Sequence, residues 1–191
     1  YNSVMAASTS KIILILALYL SFLCNFAQVS TFRIVRNIPP GGIKITASST
    51  FGDDQSASHL TDGSGLRDNI QDNNGFALTM WHTSEIPVAS KPAKGVPAYK
   101  AWVRFDFSVP EKFSKILVWN HNQEKLTNRG FRSTLVYGSS NGTDWFLLTR
   151  AELPDAKNTD GKASEISITQ KKPLTSVIIA AESNWGSSVY G

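Results

Sequence analysis

From Ile43 onward the apolar residues that stand out recur with a period of two. Ile43, Ile45 and Ala47 alternate with Lys44 and Thr46, and Val103, Phe105 and Phe107 alternate with Trp102, Arg104 and Asp106. Ile166 and Ile168 bracket Ser167, Leu135-Val136-Tyr137 and Trp145 to Leu148 form two further β-rich runs, and Val177 to Ala181 is continuously apolar. Successive side chains of a strand point to opposite faces, so alternation predicts strands with one buried face, and an unbroken short run predicts a strand buried on both. No amphipathic stretch of ten residues with helical spacing follows residue 30. Six or seven short strands separated by turn signals predict an all-β sandwich.

The turns carry their own signals. Asn141-Gly142 stands between Leu135–Ser139 and Trp145–Thr149, and predicts a type I′ hairpin because that turn wants positive φ at both central positions. The same Asn141-Gly142-Thr143 is a glycosylation sequon. Leu60 to Lys100 has little strand pattern and is rich in Asp, Asn, Gly and Pro. A segment of that length inside one domain is usually functional or tied down.

The pattern before Ile43 is different. Lys11 precedes an apolar run from Ile12 to Cys24, then Asn25-Phe26-Ala27-Gln28. Thirteen residues are too few to cross a membrane, for which about twenty are needed, and a short run behind a positive charge reads as a secretory signal peptide. The expected organisation is a signal peptide over 1–27, a lead over 28–42 closing on Pro39-Pro40-Gly41-Gly42, and one domain over 43–191. Secretion follows, to the extracellular space, the periplasm or the cell surface. Cys24, the only cysteine of the 191 residues, falls in the signal, so the mature chain holds no disulfide and relies on core burial, a bound metal, or both. Cleavage removes Lys11 and leaves 18 basic against 15 acidic residues, a net charge of +3. So mild a charge, with no basic run longer than Lys171-Lys172, argues against nucleic acid as a partner.

Signs of catalysis are missing. There is no Gly-x-Ser-x-Gly elbow, no His-Glu-x-x-His and no phosphate-cradling glycine loop, and Asp53-Asp54 and Asp68/Asp72 stand in polar loops with nothing apolar to raise one pKa. His59, His82 and His121 share no zinc-ligand spacing. Asp62-Gly63-Ser64 suits a calcium turn, in which a carboxylate and inward carbonyls offer hard oxygens, and equally suits an Asx-turn that satisfies itself.

The densest polar chemistry lies in VWNHNQEKLTNRGFRST, Val118 to Thr134. A hairpin needs two to five residues; this one inserts Asn, His, Gln and Arg between two apolar runs. His121, Asn122 and Arg129 are planar hydrogen-bonding groups of the kind that recognise sugars, and Trp81, Trp185 and Phe131 are loop aromatics on which a sugar ring could lie. The competing reading is a loop whose amides and guanidinium satisfy its own backbone.

Taken together, ITASSTF, SASHLTDGSGL, MWHT, AWVRFDFSVPEKFSKILVWNHN, RGFRSTLVYGSSNGTDWFLLT and VIIAAESNWGSSVYG resemble the coagulation factor five/eight type C (discoidin) domain. The likeness is to secreted bacterial versions related to family 32 carbohydrate-binding modules, and covers Ile43 to Gly191 in the family's order. The resemblance implies a galactose-binding-like jelly roll of two antiparallel sheets with a ligand site in the loops at one end. It implies a structural calcium, carried over here to Asp62 with Ser64 beside it. In the family the segment matching Ser183–Gly191 leads into a last strand with an acidic metal ligand; that strand is not in this sequence, so an incomplete calcium site and an unpaired sheet edge are expected. Relatives bind galactosides, other glycans or phospholipid heads, the last through exposed apolar loop tips, for which Phe76, Leu78 and Met80 are the candidates.

The resulting expectation is a secreted, non-catalytic carbohydrate-binding module, part of a longer multidomain chain, with Trp81, His121, Asn122, Arg129 and Trp185 at the ligand and Asp62 and Ser64 at calcium. The alternative is a structural or adhesive discoidin domain that engages proteins at a cell surface.

Overall fold

The alternating segments pair as strands in the computed structural model, which describes residues 42–72 and 78–191. The expected signal peptide with Cys24, the lead as far as Gly41, and Phe76 lie outside the described residues. In chain order the strands are β1 (Ile43–Ala47), β2 (Leu66–Arg67), β3 (Ile70–Gln71), β4 (Ala101–Glu111), β5 (Lys115–Val118), β6 (Ser133–Ser139), β7 (Phe146–Glu152), β8 (Ser164–Ser167) and β9 (Leu174–Ala181). Among the described residues, the only helical pieces are 3-10 turns of three or four residues.

Five strands form one antiparallel sheet in the order β1-β4-β9-β6-β7, and β5 pairs with β8 in a second. Ile116 of β5 and Ile166 of β8 share a buried cluster with Val103, Val136 and Val177 of the larger sheet, so the two sheets face each other as the period-two pattern requires. The sandwich core also takes in Phe113, Phe131 and Leu174. The unbroken run Val177–Ala181 has the predicted explanation. Val177 and Ala181 face the sandwich core, while Ile178 and Ala180 pack with Trp102 and Val96 on the other side of the sheet. Burial on both faces is why this strand has no polar alternation.

The Asn141-Gly142 hairpin joins the expected partners, with Gly138 opposite Phe146 and Val136 opposite Thr149. The turn itself is not type I′. Gly142 has φ 77° but Asn141 is not left-handed, and residues 140–145 form a longer loop. The Asn141 side chain is the reason: its Oδ1 accepts from the N–H of Thr143 and Asp144 at 3.0 and 2.8 Å, and its Nδ2 donates to Asp144 Oδ2 at 2.8 Å. An Asn that bonds its own backbone two and three residues on builds a turn from the side chain. The two-residue turn with both centres left-handed is instead Asp68-Asn69, φ 49° and 70°, between β2 and β3.

Candidate ligand-binding site

The polar stretch after β5 divides into a buried half and an outward half. Asn120 is buried and works as a bracket: its Nδ2 donates to the carbonyls of Phe131 and Pro154, both at 2.8 Å, and its Oδ1 accepts from His121 N–H at 3.2 Å. One amide therefore ties the start of the loop to its end and to the segment after β7. Gly130 lies flat against it, and a Cβ there would stand 2.7 Å from Asn120 Oδ1. Asn122 is buried too, and its backbone N–H points at Met80 Sδ, 3.3 Å away.

His121 is 2% exposed, with its ring packed against Gly191 and edge-on to His82 at 5.8 Å between centroids. Neither ring nitrogen makes a well-formed hydrogen bond, although Gln123 is close enough to favour the protonated form slightly. Burial pushes its pKa down to about 3, with His82 and the Arg129 cation acting in the same direction. His121 is thus a neutral, structural ring at neutral pH. Burial likewise lowers His82, against the bond its Nδ1 makes to the Thr83 carbonyl at 3.0 Å, and Arg129 adds to the lowering.

The outward half is Gln123 and Arg129. Arg129 sits on the 3-10 turn Thr127–Arg129, half-buried, with Nη1 donating to Gln123 Oε1 at 3.1 Å. Burial pulls its pKa down from the ordinary value and the Glu85 carboxylate opposes that pull. An Arg guanidinium stays protonated under such a shift, and its planar fork holds five donors. The Phe51 ring, half exposed, leans on His82 at 4.9 Å, and His82 in turn feels the Arg129 charge. Ser84 N–H donates to Ser49 Oγ, and Thr83 and Tyr190 exchange bonds, which brings segments 49–51, 82–85 and 190–191 to the same end of the sandwich. A fixed cationic fork, an amide, a carboxylate and an exposed aromatic face occupy one rim.

Of the five predicted ligand residues, the structure places Arg129 on this rim and Trp185 near it. Trp185, 36% exposed, donates its backbone N–H to the Asn128 carbonyl and has one ring face under the Arg132 guanidinium at 4.8 Å. His121 and Asn122 lie beneath the rim. Trp81 departs from the loop-surface placement expected of it: it is 3% exposed, donates Nε1 to the Ser49 carbonyl at 3.0 Å, and packs edge-on to Phe131 in the core. Its ring is closed to an incoming sugar because the stretch Met80–Thr83 is buried as a unit. Phe131 is a core residue for the same reason. Of the apolar tips, Leu78 is exposed and Met80 is buried, while Ile86 and Val88 are the most exposed large hydrophobics near Glu85. Phe51, Glu85 and Gln123 were missed at the rim, as was His82 buried beneath it. Phe51 and Glu85 lie in segments with no strand pattern, and nothing local marks them.

The Asp62 turn lies elsewhere. Asp62 Oδ1 accepts from Ser64 N–H at 2.7 Å, and Oδ2 is 2.9 Å from His59 Nδ1, which also stands 3.0 Å from Ser64 Oγ. Burial pushes the Asp62 carboxyl up, but the bonds from Ser64 and His59 outweigh it and hold it below the usual carboxylate range. The Asx-turn reading is therefore realised. The oxygen chemistry also suits calcium in kind: Thr79 Oγ1 is buried without a hydrogen-bond partner directly against Gly65, and Ser64 Oγ lies 3.5 Å from the Thr79 carbonyl. One carboxylate and two hydroxyls leave the rest of a six- to eight-oxygen shell to carbonyls and water. Among the described residues no three His, Cys, Asp or Glu side chains cluster as a metal site.

No protein-family model and no curated protein matches the sequence. Solved structures do match. CpGH89CBM32-5 from Clostridium perfringens, in complex with GalNAc-β-1,3-galactose, is 17% identical with a TM-score of 0.56, covering 80% of this chain and 92% of that one. The family 32 carbohydrate-binding module of C. perfringens NanJ, in complex with galactose, is 18% identical with a TM-score of 0.54, over 80% and 90%. An F5/8 type C domain from Bacteroides fragilis is 14% identical with a TM-score of 0.50, over 75% and 85%. The chain has the galactose-binding-like β-sandwich fold shared by discoidin domains and family 32 carbohydrate-binding modules.

Proposed function

We propose that this chain is a secreted, non-catalytic carbohydrate-binding module that holds a glycan at the rim formed by Phe51, Glu85, Gln123 and Arg129, with His82 buried beneath it. The observation that carries the reading is Arg129, half-buried and held by Gln123, at the end of the sandwich where the exposed Phe51 ring packs on His82. A sugar offers hydroxyls to a planar polar fork and its apolar face to an aromatic ring, and this rim supplies both. The ligands bound in the structural neighbours, galactose and GalNAc-β-1,3-galactose, support a galactoside as the first probe. Trp185 extends the same surface for a longer glycan. Polysaccharide or cell-surface glycan is then the partner, and further domains of a longer protein would act on what this one holds. No helix among the described residues is long and apolar enough to cross a membrane.

Calcium belongs to this proposal as a structural ion held by Asp62, Ser64 and Thr79, where it would fasten the turn in place of the His59 contacts. It supplies charge and coordination to the fold and no chemistry to the ligand.

The test is a glycan array followed by titration with galactose. Arg129→Ala is expected to weaken binding about 10- to 100-fold, the scale of one charge-assisted hydrogen bond, and Phe51→Ala about 10-fold through the lost apolar face under the sugar, each with little change in melting temperature. A structural or adhesive domain is favoured by the burial of Asn120, His121 and Asn122, and predicts the reverse: melting temperature falls and no glycan binds. Absence of any glycan ligand, with both variants merely less stable, overturns the carbohydrate reading.

A further inference from the structure

Arg129 is a half-buried cation without a counter-charge. Among the described residues its guanidinium has one hydrogen bond, to Gln123 Oε1 at 3.1 Å, and no ion pair. The other described arginines differ. Arg104, Arg132 and Arg150 pair with the carboxylates of Asp106, Glu152 and Glu182, and Arg67 is exposed. Residues 1–41 and 73–77 contain no Asp or Glu, so all 15 acidic side chains of the sequence lie among the described residues and none of them pairs with Arg129.

Glu85 is the carboxylate that acts on this cation, yet Glu85 is exposed and stays outside ion-pair reach. Its field does not cancel the charge, because Arg129 still helps to lower the pKa of both His82 and His121. Drawing a guanidinium partly out of water costs free energy that a paired anion offsets. A sugar hydroxyl brings it only a dipole. A carboxylate or sulfate brings a full charge and two parallel acceptors that match the planar fork.

We propose that the rim selects acidic glycans, with a carboxylate or sulfate of the sugar pairing with the Arg129 guanidinium. The proposal rests on the carbohydrate reading and narrows it. Gln123 steadies the fork, the exposed Phe51 ring at the same end takes the apolar face of the sugar, and Arg129 reads the anion. Galacturonic acid and galactose 6-sulfate are the fitting probes, since each carries its charge at the sixth carbon, where galactose is neutral.

The experiment titrates the whole chain with galactose, galacturonic acid and galactose 6-sulfate by calorimetry. An acidic sugar is expected to bind about tenfold or more tightly than galactose at low salt. That advantage shrinks between about 0.01 M and about 1 M salt, as the Debye length falls from about 30 Å to about 3 Å. An advantage shown by galacturonic acid alone makes the partner a uronic acid polymer; one shown by galactose 6-sulfate alone makes it a sulfated glycan. Arg129→Gln keeps a planar amide, loses the charge and abolishes the advantage. Glu85→Gln removes the opposing carboxylate and enlarges the advantage about two- to fivefold, the scale of an exposed charge pair. The proposal is overturned, with the carbohydrate reading left standing, if galactose binds as tightly as both acidic sugars or if Arg129→Gln keeps the advantage. Both fall if no glycan binds, or if poly-glutamate binds where neither acidic sugar does, which makes the rim a surface for acidic protein.

Discussion

Acidification from pH 7 to pH 5 is expected to destabilise the fold by about 2 kcal/mol through His121. The ring is 2% exposed, and its pKa in the fold is pushed down to about 3 by burial first and then by His82 and Arg129. In the unfolded chain a histidine titrates near 6.5. Because the folded value is the lower one, the unfolded state binds a proton that the folded state refuses. Stability is therefore intact above pH 6.5, falls by about 1.4 kcal/mol per pH unit below it, and levels off near pH 3. Integrated from pH 7 to pH 5 this is about 2 kcal/mol, or about 4–8 °C of melting temperature for a domain of this size. The assay compares thermal melts of the native chain and His121→Gln at the two pH values. Gln keeps a neutral polar side chain and cannot charge, so its melting temperature is expected to drop by that much less on acidification. His82 is present in both proteins, and Asp62 and Asp155, whose carboxyls sit below their usual range, titrate below this window. Equal drops in the two proteins, or an NMR titration of the His121 ring centred near 6.5, would refute the reasoning.

Trp81→Ala is expected to cost about 3–5 kcal/mol in a denaturant titration, because a buried indole and its bond to the Ser49 carbonyl are lost together; an effect confined to glycan affinity would contradict its place in the core. Gly130→Ala is expected to lower the melting temperature by several degrees, since the new Cβ would stand 2.7 Å from Asn120 Oδ1 and would force the bracket off the Phe131 and Pro154 carbonyls. Calcium at a hundredfold excess over its dissociation constant is expected to stabilise the native chain by about 2.7 kcal/mol and Asp62→Asn not at all. Melts identical in calcium and in chelator would remove calcium from the proposal.

Strand content was legible because burial of one sheet face writes itself into the chain as period two. β1, β4 and β8 follow from that alone, and the both-sided burial of β9 follows from its unbroken run. The turn chemistry was half legible: Asn141-Gly142 marks a hairpin, but the side chain of Asn141 decides between a two-residue turn and a longer loop, and that choice depends on bonds to Ser139, Thr143 and Asp144 made after the strands meet. The polar stretch after β5 was legible as unusual and not as divided. Asn120, His121 and Asn122 are consecutive, and which of them goes inward is set by carbonyls and rings far along the chain: Phe131, Pro154, His82 and Gly191.

What the chain determined by itself, then, is what local periodicity and local chemistry encode: an all-β sandwich, a hairpin carrying Asn141-Gly142, and a tight turn at Asp62. What tertiary structure alone decided is what needs two distant segments in one place. It took Trp81 from the loop surface into the core, made His121 a neutral buried ring, and brought the segments of Phe51 and Glu85 to the end that carries Arg129. Burial and field at a point are sums over every neighbour in space, and sequence order lists only two of them.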